Sequence, residues 1–528
     1  MSGPLLLTHF LDRARDLHPR RRIVGYHHGE EVLRYDYGRY YDRVTRLAGA
    51  LRRLGVRPGD RVATLAWNHH RHLELYFAVP LVGATLHTVN LRLEPEEIRY
   101  ILGHAEDRVL VVDSALLPLV EAARSAQPDL RVVTTDGGPG GDLDYEQLVT
   151  EGPVLDDPPP VGEQDLAALC YTSGTTGLPK GVGYSHRALY LHTFAACLAD
   201  GHAISARDTV LHVVPMFHAN AWGVPFAATM AGAAQVLPGE HPNVADIARI
   251  IEREQVTYVG MVPTLAVDLL RHVGEHGGDL RSLRALVLGG STPSVDLIRA
   301  VERDLGVPAF QGWGMTEISP MGTFSRSPEP VDDDPEAGYR RTHKQGRLLP
   351  GLQWRLVDDE GHDMPWDGTA QGELLMRGPW VASSYYRDEH PESFTDGWLR
   401  TGDIATIDPD GYLEVVDRKK DLIKSGGEWI SSVTLEQALL GHPDVFEAAV
   451  VAMPHDRWQE RPLAVVVPRA GAVADVAALR AYLAGQLPKW WLPDRIVLVD
   501  QIPRTSVGKI DKRRVREAHS PGGAAAGA

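Results

Sequence analysis

Through the middle of the chain, short apolar runs alternate with stretches whose apolar positions recur every three to four residues. This alternation predicts an α/β architecture with largely parallel sheets. After Asn243, the residues Val244, Ile247, Ala248 and Ile251 fall on one helical face. The apolar run at 256–262 reads as the next strand, and Pro263 opens a further helix because its fixed φ suits a first helical turn. A second unit follows at once, with a buried strand at 285–288, a tight turn at Gly289-Gly290, a helix over 293–305 and a strand over 307–311. The C-terminal hundred residues read differently, as a compact α+β pattern with strands at 447–453, 463–467 and 495–500 and a helix over 475–486. That change of pattern begins near 417–420, so the expected division is a large N-terminal domain, 1–419, of parallel and mixed sheets with flanking helices, and a small α+β domain, 420–528. Loops are expected at 136–142, 156–160 and 327–336, where Gly, Pro and Asp cluster, and the last nine residues read as disordered.

At 528 residues the chain exceeds what one hydrophobic core usually supports, which agrees with two domains. Its 70 acidic against 54 basic residues give a net charge of -16, which disfavours nucleic acid and anionic membrane surfaces as partners. Cys170 and Cys197 are too few for a disulfide framework and lack metal-ligand spacing, so a reducing compartment is expected. No apolar run approaches the length of a membrane span or a secretory signal. These features predict a cytoplasmic protein without integral membrane association, and they leave its oligomeric state open, a homodimer included.

The sharpest chemical signal is Tyr171-Thr-Ser-Gly-Thr-Thr-Gly-Leu-Pro-Lys-Gly-Val182, directly after the strand-like run at 166–170. Its glycines and hydroxyls can surround phosphate oxygens, and Lys180 adds a point charge. The loop is not a Walker A motif, since Pro179 precedes Lys180 where that motif has Gly, and Gly181 follows it where that motif has Ser or Thr. Instead it resembles the phosphate loop of the adenylate-forming superfamily, which includes acyl-CoA synthetases, luciferases and peptide-synthetase adenylation domains. Three further segments agree in order and spacing. Gln311-Gly-Trp-Gly-Met-Thr-Glu317 resembles the family's adenine and magnesium motif, Thr401-Gly-Asp403 with Asp417-Arg-Lys-Lys-Asp421 its ribose and hinge motifs, and Pro503-Arg-Thr-Ser-Val-Gly-Lys509 its catalytic-lysine motif.

The resemblance implies roles residue by residue. Thr172, Ser173, Gly174, Thr175, Thr176, Gly177 and Lys180 would contact the nucleotide, together with Gly290, Gln311, Gly312, Trp313 and Thr316. Asp403 would accept the ribose hydroxyls, with Arg418, Lys420, Lys424 and Trp429 as further nucleotide contacts and Lys420 at the hinge. Thr172 and Glu317 would hold Mg²⁺, and Lys509 would bridge the carboxylate and the α-phosphate. Val214-Pro-Met-Phe-His-Ala-Asn-Ala-Trp222 resembles the acyl-pocket segment of fatty acyl-CoA ligases. There His218 would line the acid site and assist catalysis, Trp222 would act as a gate, and Gly314 and Met315 would complete the pocket. Trp313 stands where Tyr is common in the family, and still offers a flat face to adenine.

These roles suit the chemistry, because a carboxylate attacks a charged α-phosphate only when the site offsets that charge and aligns the leaving group. The expected substrates and cofactors are an apolar acid, ATP, Mg²⁺ and coenzyme A. The alternatives are an aryl-acid ligase, a carrier-protein loader, a diazotising homologue using nitrite and an aryl amine, and a catalytically silent nucleotide-binding protein.

Overall fold

The computed structural model describes residues 3–172, 178–326, 335–426, 428–469, 471–472, 474–504 and 510–519. They form two compact units. The larger comprises residues up to 353 together with 376–399, and the smaller comprises 354–375 and the chain from 400 onward. The calls on Ser173, Gly174, Thr175, Thr176, Gly177 and Lys509, and on the last nine residues, lie outside the described residues.

Two sheets build the larger unit. In the first, described strands run in the order Arg347–Leu348, Met321–Phe324, Ala309–Gly314, Ala285–Leu288, Tyr258–Met261, Thr209–Leu211, Ala234–Leu237, Arg22–His27 and Glu30–Asp36. In the second the order is Leu143–Asp144, Arg131–Thr134, Asp107–Val112, Arg61–Leu65, Thr85–Thr88, Leu166–Tyr171 and Gly181–Ser185. Pairing in the middle of both sheets is parallel, and strands such as Tyr258–Met261 and Ala285–Leu288 are buried along their whole length. This is what apolar runs without alternation require when helices cover both faces of a sheet.

Local chemistry explains the element ends. Asn243 caps the helix Val244–Glu254, accepting from Asp246 N, while Asp246 accepts from Asn243 N. The expected strand at 256–262 is shorter, Tyr258–Met261, and the Thr257 hydroxyl ahead of it donates to Asp208, which also holds Arg284 at 2.6 Å. The expected helix over 293–305 starts at Val295, where the Ser294 hydroxyl accepts from Leu297 N, and its last turn, Val301–Leu305, is widened. The strand expected at 307–311 is displaced to Ala309–Gly314. Pro308 has no N–H for the ladder, and the far end is extended by antiparallel pairing with Met321–Phe324. The helix Pro335–His343 begins within the stretch expected to be loop, with proline at its first position.

In the smaller unit, Trp398–Ile407 pairs antiparallel with Leu413–Arg418 and sets Asp403 opposite Arg418. A second sheet has Val445–His455 and Gln459–Pro468 as its long hairpin, joined by Ile423–Ser425 and Glu428–Ile430 on one side and by the parallel strand Arg495–Leu498. The helices Ser432–Leu440 and Val476–Ala484 pack Leu435, Leu439, Leu479 and Leu483 onto it. The architecture is therefore α/β, with large sheets in the N-terminal part and a smaller α+β C-terminal part. Among the described residues no helix is long and apolar enough to cross a membrane.

Candidate active site

The expected phosphate loop joins two antiparallel strands, Leu166–Tyr171 and Gly181–Ser185, with Tyr171 opposite Gly181. At its base Thr172 N donates to Lys180 O at 2.9 Å, so the hydroxyl of Thr172 and the ammonium of Lys180 leave the same closed neck. Lys180 Nζ stands 4.8 Å over the Tyr385 ring, and the Tyr385 hydroxyl donates to Glu317 Oε1 at 2.7 Å. Glu317 is 7% exposed, and its backbone oxygen accepts from Ala382 N. One tyrosine thus connects the loop's lysine to the buried carboxylate. Tyr184, kept protonated by burial, donates to Thr316 O at 2.7 Å and fixes the backbone beside Glu317.

Gln311 lies on the strand Ala309–Gly314, buried, with its backbone N donating to Ser325 Oγ at 2.7 Å. Its side-chain Oε1 is buried without a partner among the described residues. An orphaned acceptor of this kind is costly unless a ligand donates to it, and an exocyclic adenine amine is such a donor. Two glycines farther along are tightly placed, and Gly314, which faces backbone, is sterically required. A Cβ on Gly312 would stand 2.6 Å from Met321 Cε, and one on Gly314 would stand 2.0 Å from Pro320 O. Trp313 packs on Gly322, and Met315 N donates to Pro320 O. Gly290 has φ +86, the left-handed region that glycine enters without strain.

The segment carrying His218 and Trp222 has an unusual backbone. Ala219, Asn220, Ala221 and Trp222 have φ of 43, 50, 50 and 59, followed by Gly223 at 75. A left-handed turn built from non-glycine residues costs about 1–2 kcal/mol per residue, and such strain gathers at functional sites. The turn presses the Trp222 indole, 7% exposed, onto the ends of two strands. A Cβ on Gly260 would be 3.1 Å from the ring, and one on Gly289 would be 2.8 Å from the ring and 3.0 Å from Gly312 O. Gly289 therefore separates the indole from the strand that carries Gln311. The cavity lined by His212, Val214, Ala221, Val224 and Gly260 is about 10 Å³, room for about one water. His218 is half-buried, and its carbonyl accepts from Ala221 N.

Asn68 braces this segment and was not singled out in the sequence. Its amide donates to His212 O at 2.7 Å and Val214 O at 2.8 Å, and its oxygen accepts from Met216 N at 2.8 Å. Tyr385 was missed as well; the only sequence signal was the tyrosine pair Tyr385-Tyr386 in an otherwise polar loop. Nearby Cys170 is a core thiol, pushed up to about 11 by burial.

In the smaller unit Asp403 is 1% exposed and lies inside a strand, not in the turn its Thr-Gly-Asp context suggests; Gly402 takes φ +70 without ending the strand. Arg418 Nε stands 2.7 Å from Asp403 Oδ1 and its Nη1 donates to Thr401 O, so the strand register itself assembles this pair. Burial, the largest influence, holds the Lys420 ammonium below its usual range. Lys424 and Trp429 face each other across a hairpin, with Nζ 5.5 Å from the ring, and Trp429 is 43% exposed.

Comparison with known proteins identifies the family. The AMP-binding enzyme family profile matches residues 11–386, and that of the AMP-binding enzyme C-terminal domain matches 434–509. A long-chain-fatty-acid–CoA ligase of Thermus thermophilus is 49% identical over 527 residues, 98% of this chain and 96% of that protein. A 3-methylmercaptopropionyl-CoA ligase of Ruegeria pomeroyi is 42% identical, with 98% of each chain covered. The crystal structure of an anthranilate CoA ligase in complex with anthranoyl-AMP matches with a TM-score of 0.88 at 25% identity, covering 98% of both chains. With a family profile spanning most of the chain and a near-full-length relative at 49% identity, this chain belongs to the AMP-binding enzymes, the adenylate-forming superfamily that includes the acyl-CoA synthetases.

Proposed function

We propose that this enzyme activates an apolar, fatty carboxylic acid with ATP and transfers the acyl group to the thiol of coenzyme A. The observation that carries this reading is the adjacency of two groups around Gly289: the strand bearing the orphaned Gln311 acceptor, and the apolar segment closed by Trp222. The long-chain-fatty-acid–CoA ligase at 49% identity supports the choice of acid.

In the first step a carboxylate oxygen of the acid attacks the α-phosphorus, and the bond to pyrophosphate breaks. Lys180 and the loop amides offset phosphate charge, while Gln311 Oε1 accepts from the adenine amine and Asp403 from the ribose hydroxyls. Trp313, Gly290, Gly312 and Thr316 shape the adenine face. Thr172 and Glu317 offer hard oxygen donors, one a hydroxyl and one a buried carboxylate with a single described side-chain donor, a set that fits Mg²⁺. When bound there, the ion neutralises phosphate charge. Lys509 bridges the acid and the α-phosphate in this step. In the second step the thiol sulfur attacks the acyl carbonyl, the bond to AMP breaks and the thiol proton leaves to solvent or base. His218, Trp222, Gly314 and Met315 line the acid site, with Trp222 as its gate.

The two steps need Lys509 present and then withdrawn. We therefore assign residues 1–419 to ATP and acid binding and 420–528 to a mobile domain turning at Lys420, with Arg418, Lys424 and Trp429 as contacts that serve the nucleotide. Two unpaired thiols, Cys170 and Cys197, suit a cytoplasmic setting.

A panel of acids with ATP and coenzyme A, read by mass spectrometry, tests the reaction; faster thioester formation from aryl acids than from fatty acids would overturn the choice of substrate. Lys509→Ala tests the mechanism. Acyl-adenylate formation should fall about 10²–10³-fold, while preformed acyl-adenylate and coenzyme A still give thioester at close to the normal rate. Equal loss in both steps would rule out the domain movement.

A further inference from the structure

The strands Arg22–His27 and Ala234–Leu237 run in parallel, with Gly25 beside Leu237. Past this pairing the first chain turns back through His28 and Gly29, while the second passes Gly239 into Glu240 and His241. The two ends meet closely. A Cβ on Gly239 would stand 2.1 Å from Tyr26 O and 3.3 Å from His27 Cα, so only glycine permits the contact. One ligand atom from each of His27, His28 and Glu240 then lies within 4.8 Å of the others. The two imidazoles are exposed, with ring centroids 4.1 Å apart, and among the described residues neither has a hydrogen-bond partner. Among the described residues Glu240 has no closer ionic contact than His241, at 3.8 Å.

We propose that His27, His28 and Glu240 form a binding site for a borderline divalent transition-metal ion, of the Zn²⁺ class, separate from the nucleotide site. Two imidazoles and one carboxylate are a familiar three-ligand set for such an ion, with solvent in the fourth position. Ligands at about 2.0–2.2 Å from a tetrahedral ion stand roughly 3.5 Å apart, a gap that exposed side chains close by rotation about χ. Mg²⁺ is a poor fit because it prefers oxygen donors in an octahedron. Bound metal would staple a hairpin near the N-terminus to the loop after Leu237. Through the Gly239 N–H, which donates to Asn68 O, that loop adjoins the residue bracing the Trp222 segment.

A second group, Asp358, Glu360 and His362, provides an internal control. There Asp358 already accepts from the backbone N–H groups of Glu360 and His362 and meets the His362 ring at 3.1 Å, so its lone pairs are engaged.

The test uses the full chain without an affinity tag, stripped of metal. Co²⁺ binding is followed by its visible absorption, and Zn²⁺ affinity by competition with a chromophoric chelator in millimolar Mg²⁺. One equivalent of Zn²⁺ should bind. Affinity should fall at least about 10–100-fold in His27→Gln/His28→Gln and in Glu240→Gln, with no change in His362→Gln. Adenylation by the variants in Mg²⁺ should stay normal, which shows that they are folded. Absence of stoichiometric Zn²⁺ binding, unchanged affinity in the double variant, or loss in His362→Gln instead would each overturn the site.

Discussion

In the larger unit burial, the largest influence on each, pushes several imidazoles far down, to about 4 for His72, His186 and His212 and about 3 for His192 and His202. In the smaller unit no described histidine is buried, and ionisable groups inside it come in partnership. Lys512 Nζ stands 2.8 Å from Glu436 Oε1, and Asp417 accepts from Ser432 N at 2.6 Å. Although burial opposes the charge on Lys512, Glu436, Asp417 and Asp421 hold its ammonium above the usual range. The larger unit thus stores neutral bases in its core beside buried ion pairs such as Arg43 with Glu74 at 2.6 Å, whereas the smaller stores compensated charge without a buried imidazole among its described residues. The buried neutral bases come at the cost of acid sensitivity.

Acidification should give the largest effect. An imidazole whose folded pKa lies below its unfolded value near 6.5 contributes full stability above pH 6.5 and loses it as pH falls toward the folded value. At pH 5 each of the five costs about 2 kcal/mol. Hydrogen exchange read by segment should therefore show the larger unit losing protection between pH 6.5 and 5 well before the smaller one; simultaneous loss would erase the contrast.

The next effect concerns the isolated charge. Glu317→Gln keeps volume and removes charge, so pyrophosphate exchange should drop about 10²–10³-fold; Tyr385→Phe should show a smaller loss of the same kind. Near-normal exchange by Glu317→Gln at saturating Mg²⁺ would mean that the buried carboxylate serves packing alone.

Trp222→Ala distinguishes gate from core. A core tryptophan costs about 3–5 kcal/mol on truncation, whereas a gate should shift preference among acids with a smaller fall in melting temperature. Smallest is Trp429→Ala in the second unit, where an exposed cation–π pair is worth about 0.5–1 kcal/mol. Its melting temperature should barely move, and any marked loss should appear in the KM for ATP.

Legibility in the sequence followed the locality of the cause. The helix after Asn243 was readable because cap, period and following strand are contiguous, and the glycines at 312 and 314 sat inside a motif of fixed spacing. The strand after Pro308 was misplaced because its limits depend on a partner strand, and the place of Asp403 inside a strand was not legible because Gly402 signals a bend that its pairing overrides. Asn68 and Tyr385 could not be singled out, since each is a lone polar side chain whose partners are more than sixty residues away in the chain. The left-handed turn at Ala219–Trp222 left no mark either, because none of its four residues is glycine.

That turn sets the direction in which this protein can be made more stable. Replacing Ala221 by glycine would relieve part of the backbone cost in the folded state, yet the same change would free the torsion that aims the Trp222 ring across Gly260 and Gly289. If Trp222 gates the acid site as proposed, thermal robustness and discrimination between acids draw on one torsion angle, and variants selected for heat resistance at this turn should accept a broader range of acids.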